Sequence, residues 1–249
     1  MNSLLPLIIT LLIVFLAIRG VVMRQLRSAC RAGAEKILRD VTLMFDDEHV
    51  YRPSRPDDFP ELDPSGYEAV RSFAATNRFR SVGALEDLTV SQANPEHRTR
   101  IDGYVSEDGA IGMAAYTLKG IHVVDLTSTF PGQRFLVTTN AEANKFSAPP
   151  TIERETLPAS TTATELLARH RARLAEHLAQ KPGMPVVPFQ GFEDMLKTAR
   201  EMTGAISIHR RSIGYLTEDE LRQIGAGQPP YVVKLVWEEF TKLRDQRAA

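Results

Sequence analysis

Met1 to Ile18 carries no charged side chain, and in MNSLLPLIITLLIVFLAIRGVVM the apolar run reaches Met23 with Arg19 as its sole charge. No other stretch constrains the chain as strongly. A bilayer's hydrocarbon layer, ~30 Å thick, is crossed by about 20 mainly apolar residues at a 1.5 Å rise, and an arginine near the end of such a span snorkels to the interface. Residues 1–23 are therefore expected to form a transmembrane anchor.

Orientation is read from the flanks, because Lys and Arg resist translocation. Arg19, Arg24, Arg27, Arg31, Lys36 and Arg39 follow the segment, opposed as far as Arg39 by Glu35 alone. These residues predict a single-pass signal-anchor protein of the inner (plasma) membrane, with the N-terminus outside and the C-terminal part cytoplasmic. Arg19, Arg24, Arg27 and Arg31 would then lie at the membrane interface, with the lipid bilayer as partner. A cleaved signal peptide is the competing reading. Ala32-Gly33-Ala34 matches a small-x-small cleavage site, but the positive n-region is missing and arginines crowd the site. The single cysteine, Cys30, allows no disulfide within the chain. Its acylation beside a membrane is physically allowed, whereas an idle buried thiol needs no further premise.

Hydrophobic residues make up 43% of the chain and charged residues 24%, which supports a packed core and excludes wholesale disorder. The balance of 30 basic against 31 acidic residues leaves no global field to attract nucleic acid, so none is expected as a partner.

Beyond the anchor, Leu26, Cys30, Ala34, Ile37, Leu38, Val41 and Phe45 recur at three- and four-residue steps, predicting an amphipathic helical stalk over residues 24–50. Residues 51–64 hold Pro53, Pro56, Pro60 and Pro64 among acidic side chains and read as a proline-rich linker. An α+β domain over residues 65–249 follows, mainly β over 65–145 and mainly helical over 146–249. It opens on a short helix, Ser65 to Asn77. Five strands are expected at Phe79–Val90, Arg98–Val105, Ala110–Leu118, Ile121–Phe130 and Arg134–Asn140. Asp108-Gly109 and Pro131-Gly132 mark turns between them. Connections this short favour an antiparallel meander with one face on a core.

Residues 144–158 read as irregular. About four C-terminal helices then pack with the sheet. Thr162-Ala163-Thr164-Glu165 and Thr217-Glu218-Asp219-Glu220 are capping boxes, and Pro230 suits a helix first turn. Phe192 to Ile213 keeps helical spacing across Gly204, which weakens the case for one unbroken helix.

Chemistry is harder to find. Asp46-Asp47-Glu48-His49 could be imagined as a metal cluster, but consecutive helical residues point apart and no second cluster accompanies it. His170 and His177 stand seven residues apart, about 10 Å along a helix axis and too far for one zinc ion. His122 falls on the apolar side of its strand. These three read as hydrogen-bonded core histidines. The chain carries no G-x-S-x-G elbow, no phosphate-cradling glycine loop and no metalloprotease or EF-hand spacing, so no catalytic, cofactor-binding or metal residues are assigned. The Thr-bearing hairpin Asp125 to Asn140 offers an interaction face at Thr127, Thr129, Arg134 and Thr138, or simply a solvated strand surface. The expected function is a non-enzymatic subunit or adaptor in a membrane-associated complex, with a protein partner or self-association. The alternative is a tethered, hydrolase-like enzyme whose site joins His122, His170 or His209 to a carboxylate and a hydroxyl in a deep pocket.

Overall fold

A single sheet takes its seven strands in the order in which the chain makes them. The computed structural model describes residues 4–45, 48–93, 95, 98–118, 120–142 and 146–248, the side chains of 4–17, 93 and 248 excepted. The strands are β1 (Tyr51–Pro53), β2 (Phe79–Asp87), β3 (Ile101–Ser106), β4 (Gly112–Leu118), β5 (Ile121–Phe130), β6 (Arg134–Thr139) and β7 (Ile152–Thr156). Strands β1 to β6 pair antiparallel, and β7 lies parallel to β6.

The sheet is thus mixed and seven-stranded, which corrects the expected five-stranded antiparallel meander. The two additional strands lie where prolines discouraged a strand reading. An edge strand tolerates proline because one side of its ladder is unpaired, and β1 ends on Pro53 at that edge. Parallel pairing needs a return of about a dozen residues. Residues 140–151 make that return, bringing Ile152 beside Phe135; residues 143–145 are not among those described. Pro149 and Pro150 precede β7 without interrupting it.

Two compact units divide the chain. In Leu43–Tyr215 both faces of the sheet are covered. On one face Tyr104, Met113, Ala115, Val124 and Leu126 pack with Val70 and Ala74 of helix α2 (Pro64–Thr76) and with Leu166 and Leu167 of helix α4 (Ala163–Gln180). Thr162 and Glu165 cap each other where the sequence places a capping box, whereas α2 starts one residue before the expected Ser65, with Asp63 accepting from the Ser65 amide. Met113, Leu126 and Leu166 are fully buried, each stabilising the fold by about 1.5–3 kcal/mol. On the other face Phe135, Val137 and Ile152 meet Met202 and Ile206 of helix α5 (Phe192–Ser212), which runs unbroken through Gly204. A short helix, α3 (Leu88–Ala93), follows β2.

The second unit comprises helix α1 (Leu4–Phe45) as far as Thr42, helix α6 (Glu218–Ile224) and helix α7 (Pro230–Ala248). Cys30, Ala34, Leu38 and Val41 form its buried stripe on α1, Phe240 is buried on α7, and Arg247 Nη1 donates to Thr42 Oγ1 at 2.9 Å. Burial, then the nearby Glu239 carboxylate, push the Cys30 thiol up, the setting of an unreactive cysteine.

Among the described residues no helix is long and apolar enough to cross a membrane. This overturns the single-pass transmembrane signal-anchor, and with it the inner-membrane localisation and the orientation drawn from the arginine flank. Residues 1–3 lie outside the described residues, as do the side chains of residues 4–17. From Ile18 onward α1 exposes Arg19, Arg24, Arg27 and Arg31 at intervals that leave no uncharged run of spanning length. Arg31 pairs with Glu35 one turn away.

Candidate functional site

Register lines up Gly83, Gly103, Ala114, Asp125 and Thr139 in one row across β2 to β6, on the face that α5 covers. Three small residues followed by an acid make an unusual row, and the helix above exploits it. A Cβ at Gly83 would stand 3.0 Å from the Phe192 ring, and one at Gly103 would stand 3.0 Å from Met195 Sδ. In the next row, a Cβ at Gly112 would stand 3.0 Å from the Phe189 ring. The missing side chains let large apolar groups approach the backbone closely.

Beside these contacts the sheet and α5 line a half-open cavity of about 250 Å³. Leu85, Ile101 and Ala114 line it from the sheet, Met195, Met202 and Ile206 from the helix, and Phe189 adds to the lining. Its polar lining includes Tyr51, Asp87, Tyr116, Asp125 and Thr127.

Tyr116 Oη donates to Asp125 Oδ2 at 3.0 Å. Burial raises the pKa of Asp125, against the Thr139 and Tyr116 hydroxyls and the Arg154 guanidinium, which favour the ionised form. Oδ1 of Asp125, itself without accessible surface, has no hydrogen-bond partner among the described residues. Burial, then the Asp125 charge, hold the Tyr116 phenol well above its usual range. Burial likewise raises Tyr51, whose hydroxyl donates to Thr203 Oγ1 at 3.4 Å. Asp87 is engaged through both oxygens: Oδ2 by His49 Nδ1 at 2.6 Å and Oδ1 by the Val90 amide at 3.1 Å.

The sequence-derived interaction face does not come together. Thr127 lines the cavity, and Thr129 is buried on the same side of the sheet. Thr138 pairs with Leu126 in the ladder and so faces α4, fully buried, while Arg134 is exposed on that same side of β6. A period of two separates the pairs, and both sides of the hairpin are covered.

The core histidines belong to other places. His170 is fully buried on the α4 face between Ser128 Oγ and Thr138 Oγ1, each 3.0 Å away. Burial, then Arg173, push its pKa down to about 3. His177 stacks on Phe130 at 4.4 Å and faces Glu153 at 3.2 Å, and His122 pairs with Thr117 at 3.1 Å. None of the three, nor His209, lines the cavity. His97 lies outside the described residues, as do Asp46 and Asp47 of the acidic run. Among the described residues no group of three His, Cys, Asp or Glu is placed to hold a metal ion.

Sequence reasoning missed Asp125, Tyr116, Asp87 and Tyr51. One signal was available: an aspartate in the middle of a Val- and Leu-rich strand is disfavoured there unless something holds it. Compared with known proteins, the chain matches no family model, no curated protein and no solved structure.

Proposed function

We propose that this chain is a non-enzymatic binding domain, of the subunit or adaptor kind, whose ligand is a small apolar molecule held between the sheet and α5. The observation that carries this reading is the half-open cavity itself, with mainly apolar walls and a few polar groups, the usual anatomy of a small-molecule site. Its size sets the scale of the ligand: benzene fills an engineered apolar cavity of about 150 Å³, and this one measures about 250 Å³. A hydrolase-like reading draws less support, since the histidines such a site would use lie away from the cavity, which pairs a carboxylate with a phenol and no imidazole.

Ethylbenzene titrated into the protein, followed through the methyl resonances of Met195, Met202 and Ile206, tests the reading. Saturable shifts that disappear in Ala114→Leu, which fills the cavity, are expected. Shifts that do not saturate, or that survive Ala114→Leu, would sink it.

A further inference from the structure

We infer that the apolar ligand is a single long alkyl chain with a polar end, lying in a passage that runs beneath α5 from one flank of the helix to the other. The inference rests on the central cavity being a ligand site and specifies the shape and class of the molecule it takes.

The central cavity has neighbours. Phe189 and Thr198 also line a half-open pocket of about 230 Å³ against the β5–β6 turn, and Thr203 also lines one of about 160 Å³ beside His49. Met195, Met202 and Ile206 mark the side of α5 that faces the sheet. At about 100° per helical residue, Asp194, Thr198 and Glu201 of the first pocket fall to one side of that face, and Thr203, Ser207 and Arg211 of the second fall to the other. The shared threonines stand where a passage would turn under each edge of the helix. From Thr198 to Ser207 the line of spaces advances about 14 Å along the helix axis.

Chemistry changes along the same line. In the middle, the hydroxyls of Tyr51 and Tyr116 and both oxygens of Asp87 are engaged within the fold, and Oδ1 of Asp125 has no accessible surface. The middle therefore offers a ligand mainly the alkyl and thioether surface of Ala114, Met195, Met202 and Ile206. Methionine is unbranched and adjusts to an irregular contour. The flanks are polar, with Gln133, Asp194 and Lys197 on one side and Glu48, His49 and Arg211 on the other. A polar end stays in a flank, and an alkyl chain fills the middle. On the scale by which benzene fills about 150 Å³, the central cavity of about 250 Å³ takes roughly ten carbons. A compact molecule is confined there, whereas a longer chain reaches the flanks.

Octanoate, decanoate, dodecanoate and tetradecanoate, titrated into the full chain by calorimetry below their micelle concentrations, hold the polar end constant while the chain grows. Each methylene taken into the passage should tighten binding about fourfold, and the rise should continue through tetradecanoate. Adamantane-1-carboxylate should bind more weakly than undecanoate, which has the same number of carbons and the same charge in an extended shape. Ser207→Leu narrows one mouth and Glu201→Trp the other, and each should weaken tetradecanoate by at least about tenfold while ethylbenzene binds as before. Gly204→Leu, with nothing within 4 Å of its added Cβ, obstructs the same pocket as Ser207→Leu and should act in the same direction. A plateau at decanoate, an adamantane carboxylate as tight as undecanoate, or tetradecanoate binding left unchanged by the variants of either flank overturns the passage and leaves the central site standing. Failure of ethylbenzene together with the whole series overturns the site as well.

Discussion

Nδ1 of His49 lies 2.6 Å from Oδ2 of Asp87, while Nε2 of the same ring lies 2.9 Å from the Met44 carbonyl oxygen. Both neighbours are acceptors, so only the doubly protonated ring donates to each. Burial disfavours that charge, but the bonds to Asp87 and Met44 outweigh it and the pKa is raised above 6.5. A base whose folded-state pKa is raised stabilises the fold fully below its unfolded value and loses that contribution as pH climbs through the folded value. The melting temperature of the natural chain should therefore exceed that of His49→Gln by several degrees at or below pH 6.5, at about 2–4 °C per kcal/mol for a chain this long. The gap should narrow above that pH. A gap indifferent to pH would remove the imidazolium from the account.

His170 behaves in the opposite sense. Arg173 Nη1 donates to Thr138 Oγ1 at 2.8 Å, and Ser128 Oγ donates to the Ala110 carbonyl at 2.8 Å. The Thr138 hydroxyl is then left to donate to Nδ1, and Nε2–H to donate to Ser128, a directional chain that needs the neutral ring. With the folded pKa pushed down to about 3, the unfolded chain takes up a proton that the fold refuses. Stability should fall as pH drops from about 6.5 toward 3, by at most about 1.4 kcal/mol per pH unit from this group. Nitrogen-15 spectra at pH 5 should show a neutral ring protonated on Nε2, and an imidazolium signal there would contradict the chain.

Two glycines should respond to alanine with opposite signs. Gly204 sits in the interior of α5 with nothing within 4 Å of an added Cβ, so Gly204→Ala should stabilise by about 0.5–1 kcal/mol. Gly83 holds φ +130° with the Phe192 ring 3.0 Å from the added atom, so Gly83→Ala should destabilise by about 1–3 kcal/mol. Urea unfolding of both variants decides the matter, and equal shifts would contradict it.

Glu86 is 1% exposed on β2 and is held by Arg52 at 2.7 Å and Arg98 at 3.1 Å. Removing it takes away the carboxylate those two guanidinium groups share, but both are solvent-accessible, so Glu86→Ala should cost about 1–3 kcal/mol. Glu107, in an exposed pair with Arg78, should cost under about 1 kcal/mol when truncated. Chemical denaturation of the two variants side by side measures the difference. Similar losses would mean that the Glu86 cluster contributes no more than a surface pair.

Apolar periodicity, capping boxes and turn dipeptides are local, and they made α2, α4, α5, α7 and the strands β2 to β6 legible in the amino-acid order alone. Each depends on neighbours a few residues away, which the sequence lists directly. What periodicity reports is that a face leaves water, not what receives it. The apolar run at the N-terminus therefore suggested a bilayer, although no helix among the described residues is apolar and long enough to cross one. The polar side of the 125–140 hairpin suggested solvent, although α5 covers it. The edge strand β1 and the parallel strand β7 were hidden because pairing partners, not propensity, made them strands. The joining of Asp125 to Tyr116 and of His49 to Asp87 was decided by strand register and by contacts 38 residues apart in the second case, and only the tertiary structure settles such distances.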